Sequence, residues 1–451
     1  MQQETRPFAG LEADLHPPLD AHESSVEADR CYFCHDAPCV TACPTGIDIP
    51  LFIRQIQTGN PGGAAKTIFD ENILSGMCAR VCPTETLCEQ ACVRQTAENK
   101  PVRIGALQRH ATDHLMQTEQ PQNKAHPYQR ETLTGKKICV IGAGPAGLSC
   151  AHRLARYGHE VTIYDAGDKP GGLNEYGIAS YKTVNDFAQE EVEFVLAIGG
   201  ITIQSGVRLG IDLSLQEATD QYDAVFLGVG LDSVNQTSIA GSDLTGVADA
   251  VEFIATLRQS QDYAALPIGR RVVVIGGGMT AIDAAVQAKM LGAEDVTIAY
   301  RRTQAKMNAS VYEQQLAQTQ GVKIKHSVQP VKIIANDDSG VESNADGCKA
   351  VAAVEFEYTT EKENSLSGTG ETFIEQADQV LMAIGQTFDA QVAESFGLAL
   401  TNNRVRVDDD RKTSHEKIWA GGDCIDAGDD LTVWAVQDGK LAAESIHQSL
   451  S

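Results

Sequence analysis

Apolar residues recur at helical spacing in three short stretches early in the chain, Leu51–Gln57, Ala64–Phe69 and Ile104–Leu115, with no strand-like alternation between them. The chain up to about residue 115 therefore reads as helical. From Met116 to Gly135 the composition turns polar, with Pro121, Pro127 and many Gln but no apolar period, which predicts a linker. Beyond it the pattern becomes strand, glycine-rich turn, helix, strand: the apolar run Ile138–Ile141, then Ala146–Tyr157, then Glu160–Tyr164. The same unit returns as Val272–Ile275, Met279–Leu291 and Val296–Tyr300, its first glycine 134 residues after that of the first unit. The repeat implies an internal duplication of a nucleotide-binding half, and hence an α/β fold with two Rossmann-like domains after a helical head. Asn336–Ser343 and Thr359–Thr372, rich in Ser, Gly, Asn and acid, are expected to be exposed hairpin loops without a chemical role.

A length of 451 residues suits about two to four domains. With 36 Lys and Arg against 61 Asp and Glu, the formal charge is -25 at pH 7, which argues against nucleic acid and anionic lipid as partners. No run reaches the roughly 18 apolar residues of a membrane span, and Met1–Gly10 is polar, so the expected compartment is the cytoplasm. Eight of the twelve cysteines fall between Cys31 and Cys92, whereas Cys139, Cys150, Cys348 and Cys424 are scattered. Disulfides belong to small secreted scaffolds, so such crowding in a long chain points to metal or iron-sulfur ligation.

Gly142-Ala143-Gly144-Pro145-Ala146-Gly147 follows a strand and opens a helix. In such a turn the first glycine reverses the chain, the second admits a pyrophosphate, the third lets helix approach strand, and the helix N-terminus favours the phosphate charge. Asp165, at the end of the next strand, is placed to accept hydrogen bonds from ribose hydroxyls. The second fingerprint, Gly276-Gly277-Gly278-Met279-Thr280-Ala281, has alanine for its third glycine, and its second strand ends in Tyr300-Arg301-Arg302 instead of an acid. Arg301 and Arg302 could pair with a ribose 2′-phosphate, which favours NADP(H) over NAD(H); two solvated arginines are the bland alternative.

The cysteines run Cys31-x2-Cys34-x4-Cys39-x3-Cys43-Pro44 and Cys78-x3-Cys82-Pro83-x4-Cys88-x3-Cys92, close to two ferredoxin-type runs. Two four-cysteine zinc sites are the main alternative, but zinc has no redox use on a chain that also carries two dinucleotide fingerprints. Cys31 to His35 also fits a c-type haem pattern, which would strand the other six cysteines. His110 and His114 are four apart but lack the glutamate of a zincin, so a polar helix face is expected.

Ile418-Trp419-Ala420-Gly421-Gly422-Asp423, followed by an expected helix Thr432–Ser445, resembles the late segment of two-dinucleotide-binding flavoprotein reductases. The resemblance implies that the first fingerprint holds FAD, that Asp423 contacts the flavin's ribityl-phosphate region, and that the helix after Thr432 faces the isoalloxazine. Asp223–Gly230 and Val380–Gln386 look like that family's crossovers between domains. The candidate flavin set is Gly142, Gly144, Ala146, Gly147, Asp165, Gly172, Leu173, Gly422, Asp423, Thr432 and Val433; the candidate nicotinamide set is Gly276, Gly278, Thr280, Ala281, Arg301 and Arg302. No Cys-x-x-Cys lies in the nicotinamide half, so electrons leaving the flavin need another acceptor, and the N-terminal cysteines are the obvious one.

Cys34-His35-Asp36-Ala37-Pro38-Cys39 and the run from Cys82-Pro83-Thr84 to Cys92, together with both fingerprints, resemble the electron-input half of dihydropyrimidine dehydrogenase and the related small subunit of glutamate synthase. That resemblance implies one 4Fe-4S cluster on Cys31, Cys34, Cys39 and Cys92, and another on Cys43, Cys82, Cys88 and the amide of Gln108, with Cys78 a bystander. Spacing alone would choose Cys78, since a thiolate binds iron better than a neutral amide. Gln108 favours the pyrimidine enzyme over glutamate synthase, whose small subunits carry Glu there. Gly177-Ile178-Ala179 and Asn308 depart from the family's Gly-Ile-Pro and Met-Pro stretches.

The expected organisation is a helical double 4Fe-4S domain over 1–125, the first segment of an FAD domain over 136–255, an inserted NAD(P) domain over 256–374, and the second FAD segment over 375–451. Hydride transfer to a flavin needs positioning more than acid-base groups, so no catalytic side chain is assigned. Nothing in the chain resembles the FMN barrel that reduces pyrimidines. The expectation is therefore an electron-transfer subunit that passes electrons from NAD(P)H through FAD and two clusters to an FMN- and iron-sulfur-containing barrel subunit in a hetero-oligomer. The small subunit of glutamate synthase and a non-enzymatic redox sensor are the alternatives.

Overall fold

The structure, a computed structural model, describes residues 8–119, 126–231, 233–235, 238–336, 349–362 and 365–451. It divides into two compact units. One comprises Asp14–Glu175, Asn185–Ser233 and Thr387–Ser451; the other comprises the segment up to Ala13, Tyr176–Val184 and Val234–Gln386.

The larger unit begins with the helical head. Its helices Ala21–Ala28, Ile49–Gln57, Pro61–Glu71, Ser75–Val81 and Ile104–Glu119 contain all three periodic stretches of the sequence. Asp20 and Glu23 form a capping box, while Asp48 and Asn60 cap their helices just ahead of Pro50 and Pro61, so each start is fixed by a side-chain acceptor. Phe52, Ile53, Ile68, Phe69, Met77 and Leu107 are buried. Residues 126–135, expected as linker, are packed: the His126 ring lies 5.3 Å from that of His152 and 5.1 Å from that of Phe194, and Arg130 pairs with Glu160.

A parallel five-stranded sheet follows, in the order Ile418–Ala420, Ala224–Leu227, Lys137–Ile141, Glu160–Asp165, Ile201–Ser205. The central strand is buried along Ile138–Ile141, as a sheet covered on both faces requires. The C-terminal helix, Thr432–Leu450, lies against the first fingerprint helix, Pro145–Arg156.

The smaller unit repeats the arrangement. Its parallel sheet runs Val247–Asp249, Gln379–Ala383, Arg271–Gly276, Asp295–Tyr300, Lys323–His326, so the three strands of each fingerprint unit hold the same places in both sheets. The duplication read from sequence is therefore real at the level of topology. Val247–Asp249 and Gln379–Ala383 pair inside this sheet, so the main segment of the smaller unit is Val234–Gln386, wider at both borders than the expected 256–374.

A second correction concerns Thr359–Thr372. Most of it lies in strands Val351–Lys362 and Ser365–Gln376, which with Val328–Ala335 make an antiparallel sheet. The outer strand is exposed along most of its length, so it lacks the alternation that marks a strand in sequence. Of the other expected loop, Asn336–Ser343, only Asn336 is among the described residues, and Cys348 also lies outside them.

Candidate functional site

The first fingerprint turn joins a buried strand to a helix that packs directly on it. A Cβ added at Gly147 would stand 1.9 Å from the Gly142 carbonyl oxygen, so only glycine allows the approach. Asp165 reaches back to the turn, accepting from the N–H of Ala143 and, at 2.7 Å, of Gly167. Gly171 N–H donates to the Ala143 carbonyl at 2.8 Å, and Gly172 packs on Gly144. Leu173, next to it, is exposed.

The late Gly-Asp element arrives at the same place. Gly422 packs on Ala146, and its N–H donates to Asp438 at 2.9 Å. Asp438 also accepts from Arg411 Nε at 2.7 Å. Burial pushes the Asp423 carboxyl up to about 7; nearby Asp430 and Asp438 add to the shift and Arg404 opposes it. Thr432 Oγ1 donates to Asn174 Oδ1 at 2.8 Å, and Val433 is buried. The expected flavin residues thus gather around one turn. Asp438 and Asn174, which hold that gathering together, have no sequence signal beyond being polar in apolar surroundings.

In the smaller unit, Gly278 precedes the helix Met279–Met290, and a Cβ there would meet nothing within 4 Å, leaving a helix N-terminus open to an anion. Gly276 ends the strand, Thr280 is half-buried and Ala281 is buried in the helix. Thr359 Oγ1 donates to the Arg301 carbonyl at 2.7 Å, so the antiparallel sheet fixes the strand end that carries both arginines. Arg301 is exposed, whereas Arg302 has a buried Nε without a hydrogen-bond partner. Among the described residues neither guanidinium is in an ion pair.

The departure at Gly177–Lys182 has a structural counterpart that sequence does not disclose. Lys182 Nζ lies 2.7 Å from both Asp283 and Glu313, and Tyr181 donates to Asp283 at 3.1 Å. Burial works against the Lys182 charge, but the two carboxylates outweigh it and hold the pKa above its ordinary value.

Cys31, Cys34, Cys39 and Cys92 line one pocket with Ile49, Ile53, Val102 and Ile104. Burial pushes the Cys39 thiol up to about 12, with Cys92 and Cys31 adding to it. Four cysteines gathered in one apolar pocket, with burial raising the thiols of Cys31 and Cys39, suit a site completed by positive iron. Cys43, Cys82 and Cys88 form the neighbouring group: the Cys82 thiol is raised by its hydrogen bond to Cys78, then by burial and by Cys78, Cys88 and Cys43. Cys78 therefore stands beside Cys82, and Asn72 Nδ2 donates to its sulfur at 3.3 Å. Gln108 is buried, with Nε2 donating to the Ser75 carbonyl at 2.9 Å. Glu89, unnoticed in sequence, lies beside Cys88, its carboxyl pushed up to about 7 by burial. His110 Nδ1 is 3.3 Å from the Leu19 carbonyl oxygen and His114 is exposed, in keeping with a helix face.

Residues 136–439 match the pyridine nucleotide-disulphide oxidoreductase family model. Residues 11–120 match the model described as dihydropyrimidine dehydrogenase domain II, 4Fe-4S cluster. Over 430 residues the chain is 34% identical to a Salmonella typhi protein named NAD-dependent dihydropyrimidine dehydrogenase subunit PreT homolog, covering 94% of each chain. It is 33% identical to the glutamate synthase [NADPH] small chain of Halomonas elongata, covering 96% of this chain and 92% of that one. Among solved structures, thioredoxin reductase of T. acidophilum superposes with a TM-score of 0.53 at 21% identity, over 69% of this chain and 98% of that one, and shares the fold.

Proposed function

The chain belongs to the pyridine nucleotide-disulphide oxidoreductase family and carries a 4Fe-4S domain of the dihydropyrimidine dehydrogenase type, and from that premise we propose that it is the electron-input subunit of a pyrimidine-reducing dehydrogenase. It is an oxidoreductase that binds FAD and NAD(P). Its relatives are named as subunits of larger enzymes, which implies a hetero-oligomer. In the proposed assignment the turn Gly142–Gly147 with Asp165, Gly172, Leu173, Gly422, Asp423, Thr432 and Val433 holds FAD. The helix N-terminus at Gly278, with Gly276, Thr280 and Ala281, holds the nicotinamide dinucleotide, and Arg301 and Arg302 select NADP(H) by its 2′-phosphate.

The observation that carries the proposal is that the cysteine head and the first fingerprint share one compact unit. When bound, the flavin accepts a hydride, that is two electrons, and releases them singly to iron-sulfur clusters. Cys31, Cys34, Cys39 and Cys92 would hold one cluster; Cys43, Cys82, Cys88 and Gln108 the other. The hydrogen bond between Cys78 and Cys82 favours a second assignment, in which Cys78 replaces Gln108. The partner would be an FMN- and iron-sulfur-containing barrel subunit that reduces uracil or thymine, and the complex would work in the cytoplasm. No helix among the described residues is long and apolar enough to cross a membrane. Anaerobically purified protein is expected to contain about one FAD and about eight irons with matching acid-labile sulfide. Stoichiometric zinc without sulfide would end this assignment.

A further inference from the structure

The C-terminal helix joins the flavin side of the larger unit to its cysteine side through two consecutive residues. A Cβ on Gly439 would stand 2.1 Å from the Ala146 carbonyl oxygen and 2.9 Å from Cys150 N, so the helix is clamped to the first fingerprint helix there. The next residue, Lys440, is buried. Its ammonium donates to the Thr45 carbonyl at 3.1 Å and to Glu71 at 2.7 Å. Thr45 in turn places its hydroxyl 3.4 Å from Cys43 Sγ. A cation is thereby fixed to the turn that follows Cys43-Pro44.

Tying down one carbonyl does not call for a lysine. Burying an ammonium is costly, a neutral donor would serve, and the carboxylate it pairs with, Glu71, is 44% exposed and so partly screened by water. What a buried charge does supply is a long-range field in a medium of low effective dielectric. One-electron reduction of a cluster adds one negative charge to it, the electron coming from NAD(P)H by way of the flavin. A fixed positive charge beside a ligand turn favours that reduced form, as neighbouring charges and hydrogen bonds do at iron-sulfur sites generally. We propose that Lys440 is a potential-setting residue: its ammonium, held against the Cys43–Thr45 turn, raises the reduction potential of the cluster that Cys43 helps to bind. This rests on the assignment of Cys43 as a ligand, and it explains why the helix that closes over the flavin turn also carries a buried cation toward the cysteines.

The test is a potentiometric titration of the full-length protein, followed by the EPR signals of its clusters, in the parent and in Lys440→Met, Lys440→Arg and Glu71→Gln. One cluster potential should fall in Lys440→Met, stay near the parent value in Lys440→Arg and rise in Glu71→Gln, with the other cluster unmoved. Opposite signs for the lysine and glutamate variants distinguish charge from packing, because lost packing would not reverse direction. Unmoved potentials in Lys440→Met overturn the proposal, as does a Lys440→Arg shift equal to that of Lys440→Met. If Lys440→Met fails to retain iron, the sign in Glu71→Gln decides: no rise overturns the proposal. A parent that holds no acid-labile sulfide overturns the cluster assignment itself, and this proposal with it.

Discussion

Arg302, at the end of the second fingerprint's second strand, carries a buried guanidinium Nε with no hydrogen-bond partner. A buried donor left unpaired costs on the order of 1–3 kcal/mol, which a phosphate oxygen would relieve. Replacing Arg301 and Arg302 by Ala should therefore erase a preference for NADPH. Each lost charge-assisted contact is worth about 1.5–3 kcal/mol, or about tenfold or more in kcat/KM. A parent enzyme that prefers NADH would show that neither arginine reads a 2′-phosphate. At the second cysteine group, Gln108→Ala is expected to lose one cluster's iron while Cys78→Ala keeps both. The reverse outcome would make Cys78 the ligand, as its place beside Cys82 permits. What local pattern places was legible in the sequence: Asp165, read from its place at a strand end, reaches the fingerprint turn, and Cys31, Cys34, Cys39 and Cys92 line one pocket. Lys440 and Lys182 were not, because their partners lie far along the chain; Lys440 and Thr45 are 395 positions apart. Only the fold brings them together.

Elements were legible to the degree that they bury one face. The first fingerprint strand and helix, Lys137–Ile141 and Pro145–Arg156, differ from their sequence-derived bounds by at most about one residue at any end. The strand Ser365–Gln376 was missed because both its faces are largely wet. The packed segment 126–135 was missed because its anchors are polar rings. There His152 is buried with an unpartnered Nε2, and burial, then His126, Arg156 and Arg153, hold its pKa well below the ordinary value. His126, the facing residue, is lowered by burial as well. Such histidines are neutral in the native state and take up protons on unfolding once the pH drops below about 6.5. Their contribution to stability is complete above that pH and declines as the pH falls toward their depressed native values. Tm should consequently fall between pH 7 and pH 5, and His152→Leu should narrow the fall relative to the parent, measured by thermal unfolding. An equal fall in both proteins would assign the acid sensitivity elsewhere. The C-terminal helix that closes over the first fingerprint turn gives a sharper case: Gly439→Ala puts a methyl 2.1 Å from a backbone oxygen, and, if that turn holds FAD as proposed, purified protein should retain much less FAD than the parent while still binding nicotinamide dinucleotide.

At the scale of the molecule, what matters is which half-reactions one chain can complete. Two parallel sheets of Rossmann-like order, an antiparallel sheet in the smaller unit and the helical cysteine head make up the described residues, and among these no sheet closes into a barrel. The isolated chain should thus oxidise NAD(P)H when given ferricyanide, since a soluble one-electron acceptor can take electrons from the flavin directly. It should leave uracil and thymine untouched. Adding an FMN barrel subunit should restore NAD(P)H-dependent formation of the 5,6-dihydropyrimidine. Removing one cluster, for example by Cys39→Ala, should abolish that coupled reaction and spare the ferricyanide activity if electrons reach the partner only through the clusters. A variant that loses a cluster yet still drives pyrimidine reduction would place the exit at the flavin instead. If the reconstituted complex forms glutamate from glutamine and 2-oxoglutarate, the same electron path serves a different partner, and the preference for the pyrimidine enzyme that Gln108 suggested is wrong. If the chain alone reduces uracil, the division of labour between two subunits fails, and the pyrimidine would have to meet its reductant within this chain.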